Sequence, residues 1–124
     1  MLGDHDVAAT LAVTDIDAAR SFYEETLGLE PVLEFPDSVV YSAGNSRVMV
    51  YRSDFAGTNR ATGATWAVGD ELESIVQDLG TKGVSFEHYD LPDTTRDGDI
   101  HEMGGMRGVW FKDLDGNIIG LINQ

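Results

Sequence analysis

Cysteine is missing from this chain of 124 residues, which excludes a disulfide framework, a thiolate metal site and a cysteine nucleophile. Cations are also scarce: 8 Lys and Arg stand against 22 Asp and Glu, for a net charge of -14. Such a field repels polyanions, so neither nucleic acid nor an anionic membrane surface is expected as a partner. No apolar run approaches the roughly 20 residues that cross a bilayer. Residues 1–6 carry neither the basic region nor the apolar stretch of a secretory leader, so a cytoplasmic location is expected. A chain this short supports one hydrophobic core, and a single domain over residues 1–124 is the expectation.

Glycine, by contrast, is plentiful at 14 residues. Many glycines separate short runs rich in Val, Ile, Tyr and Phe, the pattern of strands joined by tight turns. Two stretches have helical spacing instead. In 17–27 the apolar residues Ala18, Ala19, Phe22, Tyr23 and Leu27 recur at intervals of three and four, with Asp15 placed to cap the helix. In 71–80, Leu72, Ile75, Val76 and Leu79 do the same behind Asp70.

The two helical stretches belong to a repeat. An offset of 55 residues lays Val13-Thr14-Asp15 on Val68-Gly69-Asp70 and Leu27-Gly28-Leu29 on Lys82-Gly83-Val84. Gly28 and Gly83 each fall where a helix ends in a left-handed residue. A second echo, at an offset of 72, lays Gly44-Asn45 on Gly116-Asn117. The chain therefore reads as two βαβββ modules, one over about 7–53 and one over about 63–122. Strands are predicted at 7–13, 30–35, 38–43, 47–53, 63–68, 84–89, 107–112 and 117–122. The extra length of the second module falls in the polar stretch 90–105, read as a long lid loop.

Two motifs then carry a family likeness: Leu11-Ala12-Val13-Thr14-Asp15 leading into Phe22-Tyr23 and Leu27-Gly28-Leu29, and Trp110-Phe111-Lys112-Asp113-Leu114-Asp115-Gly116-Asn117 near the end. With this spacing the chain resembles the vicinal oxygen chelate superfamily, which holds glyoxalase I, extradiol dioxygenases, and fosfomycin and bleomycin resistance proteins. Leu114 stands where proline is usual. The resemblance implies an α+β fold, two βαβββ modules forming a curved mixed sheet around a cleft, commonly completed in a homodimer. Metal-using relatives place ligands on the first, fourth, fifth and last strands. Transferred by motif, those positions fall at Ala8, Val48, Gly63 and Gly120, none of which binds a cation; Ala9, Met49, Ala64, Ile119 and Leu121 beside them are equally inert. No metal and no cofactor are therefore expected.

Alternation along the strands predicts the cleft lining. If Ala8 faces inward, so do Thr10 and Ala12, and Thr65 follows by repetition. If Val48 faces inward, Val50 and Arg52 share its face, and the Gly44-Asn45 hairpin sets Tyr41 opposite Val48. Trp110 is assigned to the cleft and Trp66 to the helix side. Arg52 would meet a ligand carboxylate or balance nearby acids; Tyr41 would orient a polar group or fill the core. His5 lies in the N-terminal segment and His88 ends the sixth strand, whereas His101 and Glu102, in the lid loop, are the candidate acid-base residues.

These assignments suit a small-molecule-binding protein that takes a modest-sized organic ligand in an apolar cleft without a metal. In bleomycin-type members an acidic dimer cleft holds a basic drug, and the charge of this chain permits the same. A lyase or isomerase working through His101 or Glu102 is the alternative. A metal-dependent glyoxalase or dioxygenase is opposed by the four non-ligating positions.

Overall fold

The β-rich runs form two mixed sheets in the computed structural model, which describes residues 1–124. Strands β1 (Ala8–Val13), β2 (Glu30–Phe35), β3 (Ser38–Ala43) and β4 (Ser46–Arg52) make the first, in the order β1-β4-β3-β2. Strands β5 (Thr62–Ala67), β6 (Thr95–Asp97), β7 (Ile100–Met103), β8 (Met106–Lys112) and β9 (Ile118–Ile122) make the second, in the order β5-β9-β8-β7-β6. In each sheet only the first and last strands of the module, β1 with β4 and β5 with β9, run parallel. The fold is α+β, in the modular arrangement the repeat implies.

Asp15 starts helix α1 (Ile16–Arg20), its carboxylate accepting from the backbone N–H groups of Asp17 and Ala18 at 2.9 and 3.2 Å. The helix continues as a π-helical stretch, Ser21–Thr26, which buries Tyr23 completely. Helix α2 (Leu72–Thr81) buries Leu72 and Leu79. Asp70 does not cap it: that residue sits within a 3-10 turn, Gly69–Glu71, and the N-terminus of α2 has no side-chain cap. The helices cover one face of each sheet, and 14 buried residues from both modules form one continuous cluster. Leu11, Val13, Tyr23 and Val50 of the first module pack there with Leu72, Val109, Phe111 and Ile119 of the second.

The two motifs meet where the modules join. Asp113, buried in the β8–β9 turn, accepts from the Tyr23 hydroxyl at 2.7 Å, from Asn117 Nδ2 at 2.8 Å, and from the backbone N–H groups of Asp115 and Asn117 at 3.0 and 2.8 Å. Asn117 Nδ2 also donates to the Ala12 carbonyl at 2.7 Å, and Asp115 accepts from Thr14 Oγ1 at 2.8 Å. A buried carboxylate surrounded by donors is tolerated because each lone pair is used. Burial, then the Asp113 charge, pushes the Tyr23 phenol well above its ordinary range, so it remains a donor. The residues of both motifs thus form a structural joint.

Three expectations are corrected. Residues 84–89 form no regular strand; Phe86 bridges Phe111, and Glu87 N–H donates to the Trp110 carbonyl at 2.7 Å. This is the place Pro31 takes against Tyr41 in the first sheet. Residues 90–105 are not a loop but hold the hairpin of β6 and β7, which takes over the other half of the β8 edge. Finally, the register is one residue off the offset of 72: Thr10 pairs with Met49 in β4 and Thr65 with Gly120 in β9, so the counterpart of Gly120 is Met49, not Val48. Because strand side chains alternate, that single residue turns Val48, Val50 and Tyr41 to the helix-covered face.

Candidate functional site

The face of each sheet opposite its helix carries Thr10 and Met49 in the first module and Thr65, Gly120 and Trp110 in the second. Trp110 pairs with Gly120, whose missing side chain leaves room for the indole: a Cβ at position 120 would lie 3.3 Å from both Trp110 Nε1 and Thr65 Oγ1. Around this indole lies an open hollow of about 720 Å³, lined by Trp110, Tyr89, Leu91 and Ile118, with Asn59 and Thr62 at its side and Glu87, Arg60 and Lys112 as its charged groups. The Tyr89 ring meets Trp110 edge to face, with centroids 5.5 Å apart. Partial burial, and then Glu87, raise the Tyr89 phenol above its usual range. A hollow of about 240 Å³ lies by Thr10, Tyr51 and Phe55 of the first module and shares Gly57 and Asn59 with the larger one. The segment linking the modules therefore borders both.

His101 stands behind this aromatic wall, fully buried in β7, its ring 5.0 Å from Trp110 and 6.2 Å from Tyr89. Its Nε2 accepts the Tyr89 backbone N–H at 3.0 Å, which leaves the ring proton to Nδ1, and Nδ1 is buried with no hydrogen-bond partner. The residue is thus a strand residue holding Tyr89 in place and not part of a mobile loop. Glu102, its neighbour, points to the other side of β7 and is exposed. His88 is exposed and bridges Asp99 at 2.7 Å and Arg96 at 3.0 Å.

The other expected site residues divide. Thr10 and Thr65 are exposed on the open face, beside hollows. Val50 and Tyr41 are 1% and 0% exposed in the core, so the reading that they line a cleft is corrected by the register above. Tyr41 stacks on Tyr23 with centroids 6.1 Å apart and donates to Glu24 at 2.9 Å; burial, then this bond, push its phenol above the ordinary range. Glu24 is in turn held below the usual carboxylate range by its hydrogen bond from Arg20, at 2.7 Å. Arg52 lies at the exposed end of β4 in a pair with Asp54 at 2.7 Å, away from the larger hollow. Trp66 packs on the helix side with Ile75, Leu79 and Phe111.

A family model described as the Glyoxalase/Bleomycin resistance protein/Dioxygenase superfamily matches residues 6–121. The chain belongs to that superfamily. Three solved structures resemble it along nearly their whole lengths. The bleomycin resistance determinant encoded on the transposon Tn5 superposes with a TM-score of 0.74 at 17% identity, covering 97% of this chain and 98% of that one. The fosfomycin resistance protein FosX from Listeria monocytogenes gives 0.72 at 13%, covering 95% and 91%. Lactoylglutathione lyase from Agrobacterium tumefaciens gives 0.71 at 20%, covering 95% and 92%. At these identities the likeness is one of fold. None of the functionally curated proteins matches this chain in sequence.

A divalent metal in the manner of metal-using members of the superfamily does not fit the residues present. Ala8 offers no donor; Val48 faces the core, and Met49, which takes the open face in its stead, is a soft thioether. A side chain at Gly63 would start 3.0 Å from Leu11 Cδ2, and one at Gly120 would start 3.3 Å from Trp110 and Thr65 and press on both. Nowhere do three or more His, Asp or Glu gather as a cation would require. No helix is long and apolar enough to cross a membrane.

Sequence reasoning missed Tyr89, Arg60 and Lys112. The signal for Tyr89 was present, an aromatic residue closing the 84–89 run, but its place beside Trp110 depends on how the chain leaves β8. The signal for Arg60 and Lys112 was the scarcity of cations itself: in a chain with so few, two in one hollow are informative.

Proposed function

We propose that this superfamily member binds a modest-sized organic molecule in the hollow around Trp110, without a metal. The observation that carries the reading is the Trp110 indole laid over Gly120, whose missing side chain leaves room for an aromatic floor in the hollow. Ligand sites are concave and largely apolar, with few polar groups to set orientation, and Trp110, Tyr89, Leu91 and Ile118 with Thr62 and Asn59 supply that mixture. Thr10 and Thr65, on the same open side, serve as flanking contacts; His101 serves by fixing Tyr89. In this reading the chain is one cytoplasmic domain, and it pairs with a second copy. The outer edge of β2 is unpaired and leaves Val32, Leu33 and Phe35 exposed, an apolar strand edge that a partner would cover.

The test is a thermal-shift screen with aromatic natural products on the purified chain. A ligand at a hundredfold its Kd stabilises by about 2.7 kcal/mol, which raises the melting temperature by several degrees. Trp110→Ala removes that shift. If no aromatic compound raises the melting temperature, the reading fails. Light scattering reports the dimer separately.

The second reading is a lyase or isomerase that moves a proton through His101, and the buried, unpartnered Nδ1 behind the aromatic wall of the hollow favours it. For that chemistry His101 must reach the ligand, so turnover of an identified substrate by His101→Asn at the native rate would remove it.

A further inference from the structure

The charge of the hollow runs against that of the molecule. Against a chain total of -14, the charged residues lining the hollow are two cations, Arg60 and Lys112, and one carboxylate, Glu87. Lys112 is engaged by Glu87 at 3.2 Å. Arg60 is the only one of the six arginines with neither a salt bridge nor a side-chain hydrogen bond: Arg20, Arg52 and Arg107 pair with carboxylates, Arg47 bonds the Ser46 carbonyl, and Arg96 bonds His88 and the Gly98 carbonyl. In a chain with nearly three acids per base, Arg60 is exposed at the rim of the aromatic hollow and no carboxylate of the chain engages its guanidinium, which leaves that group free to meet an anion. The turn that presents it is pinned, because the Asn59 side chain both donates to the Ala61 carbonyl, at 3.0 Å, and accepts from the Ala61 N–H, at 3.1 Å.

Resting on the small-molecule reading above, we infer that the ligand is a planar aromatic compound bearing an acidic group, its ring against Trp110 and Tyr89 and its anion on the Arg60 guanidinium. Arginine is suited to this because its planar fork meets a carboxylate with two parallel charge-assisted hydrogen bonds. The global charge does not forbid it. Beyond the Debye length of about 8 Å at physiological ionic strength, surface carboxylates are largely screened, whereas a guanidinium in direct contact is not. On this inference a basic ligand is disfavoured in this hollow, where the free charge is Arg60 and Lys112 is already paired with Glu87.

Calorimetric titration of the whole protein with 2-naphthoate, 2-naphthamide and 2-naphthylmethylamine tests the inference, since the three share a ring system and differ in charge. The naphthoate is expected to bind about tenfold more tightly than the amide, the size of one charge-assisted contact, with the ammonium compound weakest. Arg60→Gln is expected to abolish the preference for naphthoate over amide. Equal binding of naphthoate and amide, or tightest binding of the ammonium compound, overturns the inference while the small-molecule reading stands. Binding of none of the three overturns both. A preference for naphthoate that survives Arg60→Gln overturns the assignment of the anion to Arg60.

Discussion

The two modules share a topology but use it differently. In the first, the residue that faces the helix on β3 is Tyr41, stacked on Tyr23 and tied through Glu24 to Arg20, and the hollow beside Thr10 is about 240 Å³. In the second, the corresponding residue on β8 is Phe111, packed edge to face on Phe86 with centroids 6.0 Å apart, and the open face carries the large hollow. The extra residues of the second module make the difference. By building β6 and β7 they put His101 under Tyr89, and Tyr89 then stands against Trp110. A duplicated scaffold builds a core in both halves, and the extra residues give the second half an aromatic wall.

The comparison breaks most sharply at Phe111. Phe111→Ala opens a cavity in the second module and is expected to cost about 3–5 kcal/mol in urea unfolding. If the loss is under 1 kcal/mol, the second module does not depend on this core contact. Next comes Asp113→Ala, which strips the acceptor from Tyr23, Asn117 and Asp115 where the modules join. It is expected to cost about 3 kcal/mol, because buried donors are left unmet. Gly120→Ala acts on the hollow alone: the added methyl meets the indole, so the expected outcome is a shift in tryptophan emission with a cost of about 1–2 kcal/mol. Unchanged emission would mean that Trp110 does not rest on Gly120. Tyr41→Phe, confined to the first module, removes one bond to Glu24 and is expected to cost about 1 kcal/mol.

The smallest effect is one of pH. The Tyr23 phenol is raised in the folded protein from a reference of 10.0. Above about pH 10 the unfolded chain therefore loses this proton while the folded chain keeps it, and stability falls as pH rises further. Tyr23→Phe is expected to flatten the alkaline limb of a melting-temperature profile. At the acid end the sign reverses. Glu24 is held below its reference of 4.5 by Arg20, so its contribution is present above that value and is lost as pH falls through the folded value. Glu24→Gln tests this in the same profile.

Most of the scaffold was legible because it depends on local signals. The Asp15 cap, the helical spacing around Tyr23 and Leu72, and glycines at 28 and 83 with φ of 73° and 90° all act within a few residues. The site was less legible. Thr65 was placed on the open face by repetition from the first strand, and Trp110 by a choice between two neighbours, Trp110 and Phe111, that alternate faces. Tyr41 and Val50 were misplaced, because the β8–β9 turn does not match the Gly44-Asn45 turn and one residue reverses a strand's faces. His101 was read as a loop residue since nothing local announces strands as short as β6 and β7, of three and four residues.

By itself, then, the sequence determined a duplicated strand–helix–strand plan, the helices that cover its sheets, and residues without hard donors at Ala8, Gly63 and Gly120. Hydrophobic period, capping and residue chemistry are properties of short stretches of chain. The tertiary structure alone decided which strand faces look at the core, that the insertion forms a hairpin under Tyr89, and that Arg60 is left without a carboxylate beside Trp110. Register and charge pairing arise between segments far apart in the chain, and only the packed molecule fixes them.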